Sequence, residues 1–472
     1  MLHIPSISRR LKMIDTNLAE YGEKTDFLSW VSSEQARQAE SRRARIIGAF
    51  SSGIEFDFKR TKPHGGGLSP GCRICGEGDW SCLFINGKCN CRCFYCPTSQ
   101  ESISVPTTNR IPFENARDYV DYIRHFDFKG VSISGGEPLL TFERSLHYIE
   151  TVRKKLGETL YIWLYTNGTL ATADRLKKLR DAGLNEIRFD ISAVDYDLTG
   201  VKMATGLIPC VTVEIPAVPE DLGRLIDLLP ILHETGVKHL NLHQLRLTPH
   251  NFSKLLRRNY TFLHGEKVTV LESELAALTV LESVSRSNLK LPVNYCAFAY
   301  KRRYQQAAAR RRNAKYILKG YESVSENGFI RTLSIASNPE LLGRLAAQLE
   351  RTGADKETWY LSGKKERLFF HESLWSMIDF SVGELQVSYS EAILSPSISY
   401  HRAFREIRLG HGRKIYIERC PLCSQLRLKD ADRMFFENAI LNNTGDVSDS
   451  EVQMQEDILD FELIRPGLQD YF

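Results

Sequence analysis

Nowhere in this 472-residue sequence is there a run of about 18 apolar residues, the length a helix needs to cross a bilayer. There is little charge excess either. Lys+Arg at 62 against Asp+Glu at 58 leave a net +4, so a nucleic-acid or membrane partner would need a local patch rather than the whole surface. The opening residues, Met1 to Arg10, lack the apolar stretch and small-residue cleavage site of a secretory signal, which makes a cytoplasmic chain the expectation. No internal repeat or low-complexity tract occurs. With 42% hydrophobic and 25% charged residues the composition excludes wholesale disorder, and the length allows two or three domains.

Cysteine, by contrast, is plentiful and uneven. Of the 11 cysteines, Cys72, Cys75, Cys82, Cys89, Cys91, Cys93 and Cys96 crowd into one short stretch. In a reducing compartment such density reads as metal ligation rather than as disulfides. Before it, residues 1–67 read as a charged helical extension, and the glycine run Gly65-Gly66-Gly67 marks the boundary.

From Ser81 to Cys296, short β-branched runs alternate with amphipathic helical stretches, the pattern of an α/β fold with a parallel sheet. Seven strands are expected: Ser81–Ile85, Gly130–Ser134, Leu160–Tyr165, Glu186–Ile191, Val211–Ile215, Lys238–His243 and Leu291–Cys296. A barrel or open barrel follows, with its site at the carboxyl ends of the strands. This core is expected over 68–312 and a small α+β domain over 313–440. The basic run Lys301–Lys319, with eight basic residues and no acid, reads either as a solvated helix face or as a surface for an anionic substrate or peptide. Residues 441–472 read as an acidic tail.

Two motifs carry the chemistry. Cys89-Asn90-Cys91-Arg92-Cys93-Phe94-Tyr95-Cys96 contains Cys-x3-Cys-x2-Cys directly after the first strand. Three thiolates on one loop can hold three irons of a [4Fe–4S] cluster and leave the fourth open. Ser134-Gly135-Gly136-Glu137-Pro138 follows the second strand, where two glycines let a ligand approach the backbone and a carboxylate can meet an ammonium group.

Together, in this order, the motifs resemble the radical S-adenosylmethionine superfamily. The resemblance implies a partial (β/α)6 barrel in which Cys89, Cys93 and Cys96 hold the cluster and S-adenosylmethionine chelates the open iron. One electron then cleaves it to methionine and a 5′-deoxyadenosyl radical. Tyr95 is expected near the adenine, Gly135, Gly136 and Glu137 at the methionine amine, and Thr166-Asn167 beside the cofactor, unless Asn167-Gly168 is only a strand-to-helix turn. Reduced flavodoxin or ferredoxin is the implied electron donor. The stretches Gly71–Gly76, Cys96-Pro97, Val213–Ala217 and Asn241–Gln244 further resemble proteins described as relatives of pyruvate formate-lyase activating enzyme, over roughly 68–312.

Polar residues on the later strands (Arg188, Asp190, Glu214, Asn241, His243, Asn294) are candidates to line the barrel, although period-2 alternation leaves their face open. Glu214 stands out, because a carboxylate in an apolar strand needs a partner. Cys72, Cys75 and Cys82, with the distant pair Cys420 and Cys423, offer ligands for zinc or an auxiliary iron–sulfur cluster. Cys296 is either a rival third ligand or a hydrogen-atom donor. The substrate is expected to be a peptide or protein side chain or a small molecule, with membrane and nucleic acid disfavoured. A third possibility is an iron–sulfur or zinc module without radical chemistry.

Overall fold

The β-branched runs pair side by side in chain order, as short crossovers favour. They are β1 (Trp80–Asn86), β2 (Gly130–Gly135), β3 (Tyr161–Thr166), β4 (Glu186–Phe189), β5 (Cys210–Pro216), β6 (His239–His243) and β7 (Val293–Cys296), all parallel. These are the seven expected strands. In this computed structural model the described residues are 7–51, 53–287, 289–423, 425–442 and 456–472.

The register settles which face each side chain takes. Tyr165 lies beside Arg188, Arg188 beside Thr212, Glu214 beside Asn241, and Asn241 beside Asn294. Alternation therefore sends these polar residues to one face and the apolar ones (Val131, Ile133, Ile162, Leu164, Ile187, Val213, Leu240, Leu242) to the other, where each is fully buried. Tyr295 marks the second face as the helix-covered one, since its hydroxyl donates to Glu274 of the helix Leu271–Arg286 at 3.1 Å. The inner face is polar and needs polar company. Part of it comes from the short helix Pro70–Glu77, capped by Ser69. A Cβ at Gly71 would strike the Arg188 and Glu186 side chains, so this helix lies directly against the inner face.

The sheet has eleven strands and stays open, ending at Ile54–Phe56 on one side and Ile111–Pro112 on the other. Lys62–Gly65 pairs antiparallel with β7, and Ile54–Phe56 pairs with Lys62–Gly65. The expected N-terminal extension is thus only partly a helical appendage. Its helices Ile7–Tyr21 and Ser33–Gly48 are present, but its last residues join the sheet, because an open edge has unpaired backbone groups to satisfy.

By its internal packing the chain forms two units, one of Ile4–Gln305, Leu409–His411 and Pro466–Phe472 that holds this sheet, the other including Gln306–Arg408 and Gly412–Arg465. The second unit is an antiparallel eight-stranded sheet centred on Ile330–Ala336 and Glu384–Ser395. The helix Pro339–Arg351 buries Leu342, Leu345 and Leu349 in that unit's core. Arg331 sits within the core, bonded to Glu462 at 2.8 Å, and Tyr389 donates to Glu462 at 2.6 Å. Of the expected acidic tail, 443–455 lie outside the described residues. Glu456–Glu462 is helical, and Tyr471 is buried in the first unit with its hydroxyl on Glu274 at 2.7 Å. Among the described residues, no helix is long and apolar enough to cross a membrane.

Candidate active site

At the carboxyl end of β1 the chain turns into the cysteine loop, which is stitched to the end of β2. Gly136 N–H donates to the Asn86 carbonyl and Glu137 N–H to the Lys88 carbonyl, both at 2.8 Å, while Asn86 Nδ2 donates to the Glu137 carbonyl at 3.1 Å. A Cβ on Gly135, whose φ is +127°, would meet the Asn86 carbonyl, and one on Gly136 the Lys88 carbonyl. Glycine is needed here first for the approach of one backbone to another.

Glu137 is held by three donors. Its carboxylate accepts from Leu139 N–H at 2.9 Å, Thr166 Oγ1 at 2.8 Å and Asn167 N–H at 2.8 Å. These bonds tie β2 to the end of β3. Burial pushes the Glu137 carboxyl up despite those donors. Asn167 in turn donates to Asn90 Oδ1 at 2.8 Å and lies 3.7 Å from Cys89 Sγ, so the Thr166-Asn167 turn holds the cysteine loop from the other side.

Cys89, Cys93, Cys96 and Tyr95 line a cavity of about 300 Å³ together with Ser134 to Glu137, Thr166, Asn167, Asp190 and Glu214. Cys91 lines it too. The Tyr95 hydroxyl reaches both oxygens of Asp190 at 3.0 Å and Ser192 at 2.6 Å. Burial pushes Asp190 up to about 6, against the pull of Ser192 and Tyr95. Burial, with Asp190 nearby, pushes the Cys93 thiol up to about 12, so this sulfur becomes a thiolate only when a metal displaces its proton.

Behind this wall runs a buried polar chain. Arg188 bonds Glu186 at 2.9 Å and Glu214 at 2.7 Å; Glu214 also accepts from Asn241 at 2.8 Å and meets His243 Nε2 at 2.5 Å; Lys301 Nζ meets His243 Nδ1 at 2.5 Å. Burial opposes ionisation of Glu214, but Arg188 and His243 outweigh it and hold the carboxyl well below its usual range. The partner that Glu214 requires is therefore Arg188.

The other cysteines lie elsewhere. Cys72 Sγ accepts from Asn241 at 3.3 Å, Cys75 Sγ from Gln305 at 2.7 Å and Cys296 Sγ from Lys62 Nζ at 2.8 Å. Cys82 is on β1, paired with Ser132. Cys420 is buried in the strand Lys414–Pro421 and Cys423 packs on the second unit's core. Among the described residues, no three His, Cys, Asp or Glu side chains meet at a point where a single ion could sit. Cys296 is not among the residues that line the cavity, so a hydrogen atom passed from it to a ligand there would need an intermediary. Among the lining residues that the sequence did not assign to the site are Gln244, Arg246, Phe298 and Lys301. Lys301 had left a trace as the first residue of the basic run, and Gln244 as the end of the Asn241–Gln244 stretch.

Residues 83–243 match the family model of the Radical SAM superfamily. The chain carries a Radical SAM domain over these residues. This radical SAM enzyme is 27% identical over 303 residues, 61% of its length and 80% of the relative's, to a Methanocaldococcus jannaschii protein provisionally assigned as a glycyl-radical enzyme activating enzyme. It is 29% identical over 120 residues to a GTP 3′,8-cyclase of Staphylococcus carnosus, covering 25% of this chain and 34% of that one. The solved structure of Streptococcus suis SuiB bound to S-adenosylmethionine is 13% identical, with 52% of this chain and 58% of that chain covered and a TM-score of 0.34. A [4Fe–4S] cluster and S-adenosylmethionine are the radical SAM enzyme's cofactors, and it needs a reductant and a substrate. The donor set fits: three thiols on one loop share a cavity with backbone groups at the ends of β2 and β3.

Proposed function

We propose that Cys89, Cys93 and Cys96 ligate the [4Fe–4S] cluster and that the enzyme abstracts hydrogen from a peptide or protein side chain presented to the cavity. When bound, the cluster and S-adenosylmethionine together supply the 5′-deoxyadenosyl radical, given an electron from a reductant such as flavodoxin or ferredoxin. The backbone at Gly135 and Gly136, with Ser134, binds the methionine part. Glu137 and Asn167 hold β2, β3 and the cysteine loop in one position. Tyr95 and Asp190, locked to each other, form the wall for the adenosine, and Thr166 acts through its bond to Glu137. Glu214 fixes the Arg188–His243 layer that closes the cavity from below and keeps water and stray hydrogen donors out.

The observation that carries this reading is the convergence of the three cysteines with the ends of β2 and β3 on one cavity. The peptide assignment draws on the relative from Methanocaldococcus jannaschii, whose activity is assigned to a glycyl-radical partner. A volume of about 300 Å³ favours a second reading, a small molecule taken up whole. The test is anaerobic reconstitution followed by a 5′-deoxyadenosine assay with dithionite and S-adenosylmethionine. Wild type should bind about four irons per chain and release deoxyadenosine, and Cys93→Ala should do neither. Deoxyadenosine from Cys93→Ala at the wild-type rate would sink the assignment.

A further inference from the structure

The cavity wall formed by the end of β6 and the residues after β7 carries charge that the protein leaves unanswered. Elsewhere in this unit, each buried arginine has its carboxylate: Arg188 has Glu186 and Glu214, Arg43 has Glu274 at 3.0 Å, and Arg303 has Glu266 at 3.0 Å. Arg246 and Lys301 break the pattern. Both line the cavity, and among the described residues neither lies within ion-pair distance of an acid. Lys301 Nζ meets Nδ1 of His243, whose other nitrogen is committed to Glu214. Glu214 has both oxygens taken by Arg188, Asn241 and His243.

Between the two cations stands Phe298, its ring centroid 5.2 Å from the Arg246 guanidinium carbon and 5.8 Å from Lys301 Nζ. Burial lowers both groups; Cys296 and Glu214 partly offset it at Lys301 while Arg246 adds to it, and at Arg246 the neighbouring Arg302 adds to it while Tyr21 and Glu20 partly offset it. Both side chains are half-buried, and two like charges drawn partly out of water with no carboxylate beside them are costly.

Resting on the radical-enzyme reading above, we infer that the substrate carries an anionic group, a carboxylate or a phosphate, which docks between Arg246 and Lys301 with its adjoining carbon skeleton on Phe298. The anion completes the charge balance of the wall. Arg246 and Lys301 are then specificity residues. With the anionic end held there, the rest of the substrate extends across the cavity toward the cysteine loop, and fixing one end is what turns a chance encounter of a C–H bond with the radical into a positioned one.

The test is calorimetric titration of the anaerobically reconstituted protein with three probes: glutarate, inorganic phosphate and the peptide Gly-Asp-Gly with blocked ends. At least one should bind saturably at one site per chain, and its affinity should fall tenfold or more in Arg246→Gln and in Lys301→Met. Lys301→Arg should keep most of the affinity, which separates lost charge from lost folding. Tightest binding of the peptide would point to an acidic residue of a macromolecule, and tightest binding of phosphate or glutarate to a free metabolite. No saturable binding of any probe, or equal affinity in wild type, Arg246→Gln and Lys301→Met, overturns the inference. Cys93→Ala titrated in parallel should bind the probe unchanged while failing in the deoxyadenosine assay, so the fate of the anion site is read separately from that of the radical assignment.

Discussion

Arg188→Met removes the one cation that two buried carboxylates share. Glu186 and Glu214 are 0% and 8% exposed, and the guanidinium bonds the first at 2.9 Å and the second at 2.7 Å. Methionine fills much of the arginine's volume, so the loss is electrostatic rather than a cavity. Removing one partner of a buried pair costs about 3–5 kcal/mol. The sheet-bearing unit has roughly 300 residues, which at about 2.1 cal/mol/K per residue gives an unfolding entropy near 0.6 kcal/mol/K. A loss of about 4 kcal/mol therefore lowers Tm by about 6 °C.

The effect must depend on pH in a definite direction. In wild type Glu214 has a folded-state pKa below its unfolded value, so the stability it contributes is present above the unfolded pKa and lost as pH falls through the folded one. Without Arg188, burial is no longer outweighed and Glu214 takes up its proton at higher pH than before. The deficit of Arg188→Met relative to wild type is then largest near pH 7.5 and shrinks toward pH 5. Calorimetric melts of both proteins at pH 5, 6 and 7.5 measure it. A Tm difference under about 1.5 °C at pH 7.5, equivalent to about 1 kcal/mol, or one that stays constant across the series, would refute the reasoning.

Three further outcomes are expected. Gly136→Ala should weaken S-adenosylmethionine binding at least tenfold in equilibrium dialysis, because its Cβ overlaps the Lys88 carbonyl, whereas Gly223→Ala, with open space around it, should change nothing. A Cys72→Ala/Cys75→Ala double variant should keep the wild-type iron content of about four per chain, since each sulfur is engaged by an amide donor; about four fewer irons would establish an auxiliary cluster instead. Tyr389→Phe should destabilise the second unit by about 1–3 kcal/mol in urea unfolding followed by Trp375 fluorescence, because Glu462 loses a buried donor at 2.6 Å.

The sequence is informative wherever the deciding interaction is local. The seven strands are legible in their β-branched runs, and the cysteine loop in its spacing. Alternation alone could not say whether Arg188, Glu214 and Asn241 face in or out, since both faces obey the same period; the parallel register decides it. Two of the three donors to Glu137, Thr166 and Asn167, lie about 30 residues ahead and have no local signature, so its tie to β3 is not legible in the sequence. Lys62–Gly65 reads as the end of the charged helical extension and the start of its glycine boundary, yet the open edge of β7 captures it and thereby places Lys62 at Cys296. Arg246 left no sequence signal, because what distinguishes it is that, among the described residues, no carboxylate lies at ion-pair distance from it in three dimensions.

The inner face of the sheet is graded. Around the helix Pro70–Glu77 it presents thiols and amides, at its middle an arginine balanced by two glutamates, and at the carboxyl ends of β6 and β7 cations that, among the described residues, have no acid at ion-pair distance. Each layer braces the next through hydrogen bonds rather than through apolar packing: Asn241 links Cys72 to Glu214, and His243 links Glu214 to Lys301. A radical enzyme gains from such a wall. Satisfied polar groups in fixed geometry cannot swing into the cavity, whereas a loosely packed apolar wall would present many mobile C–H bonds to an unselective oxidant. The layer left unsatisfied is the one facing the cavity, which is where an incoming substrate can supply what the chain lacks.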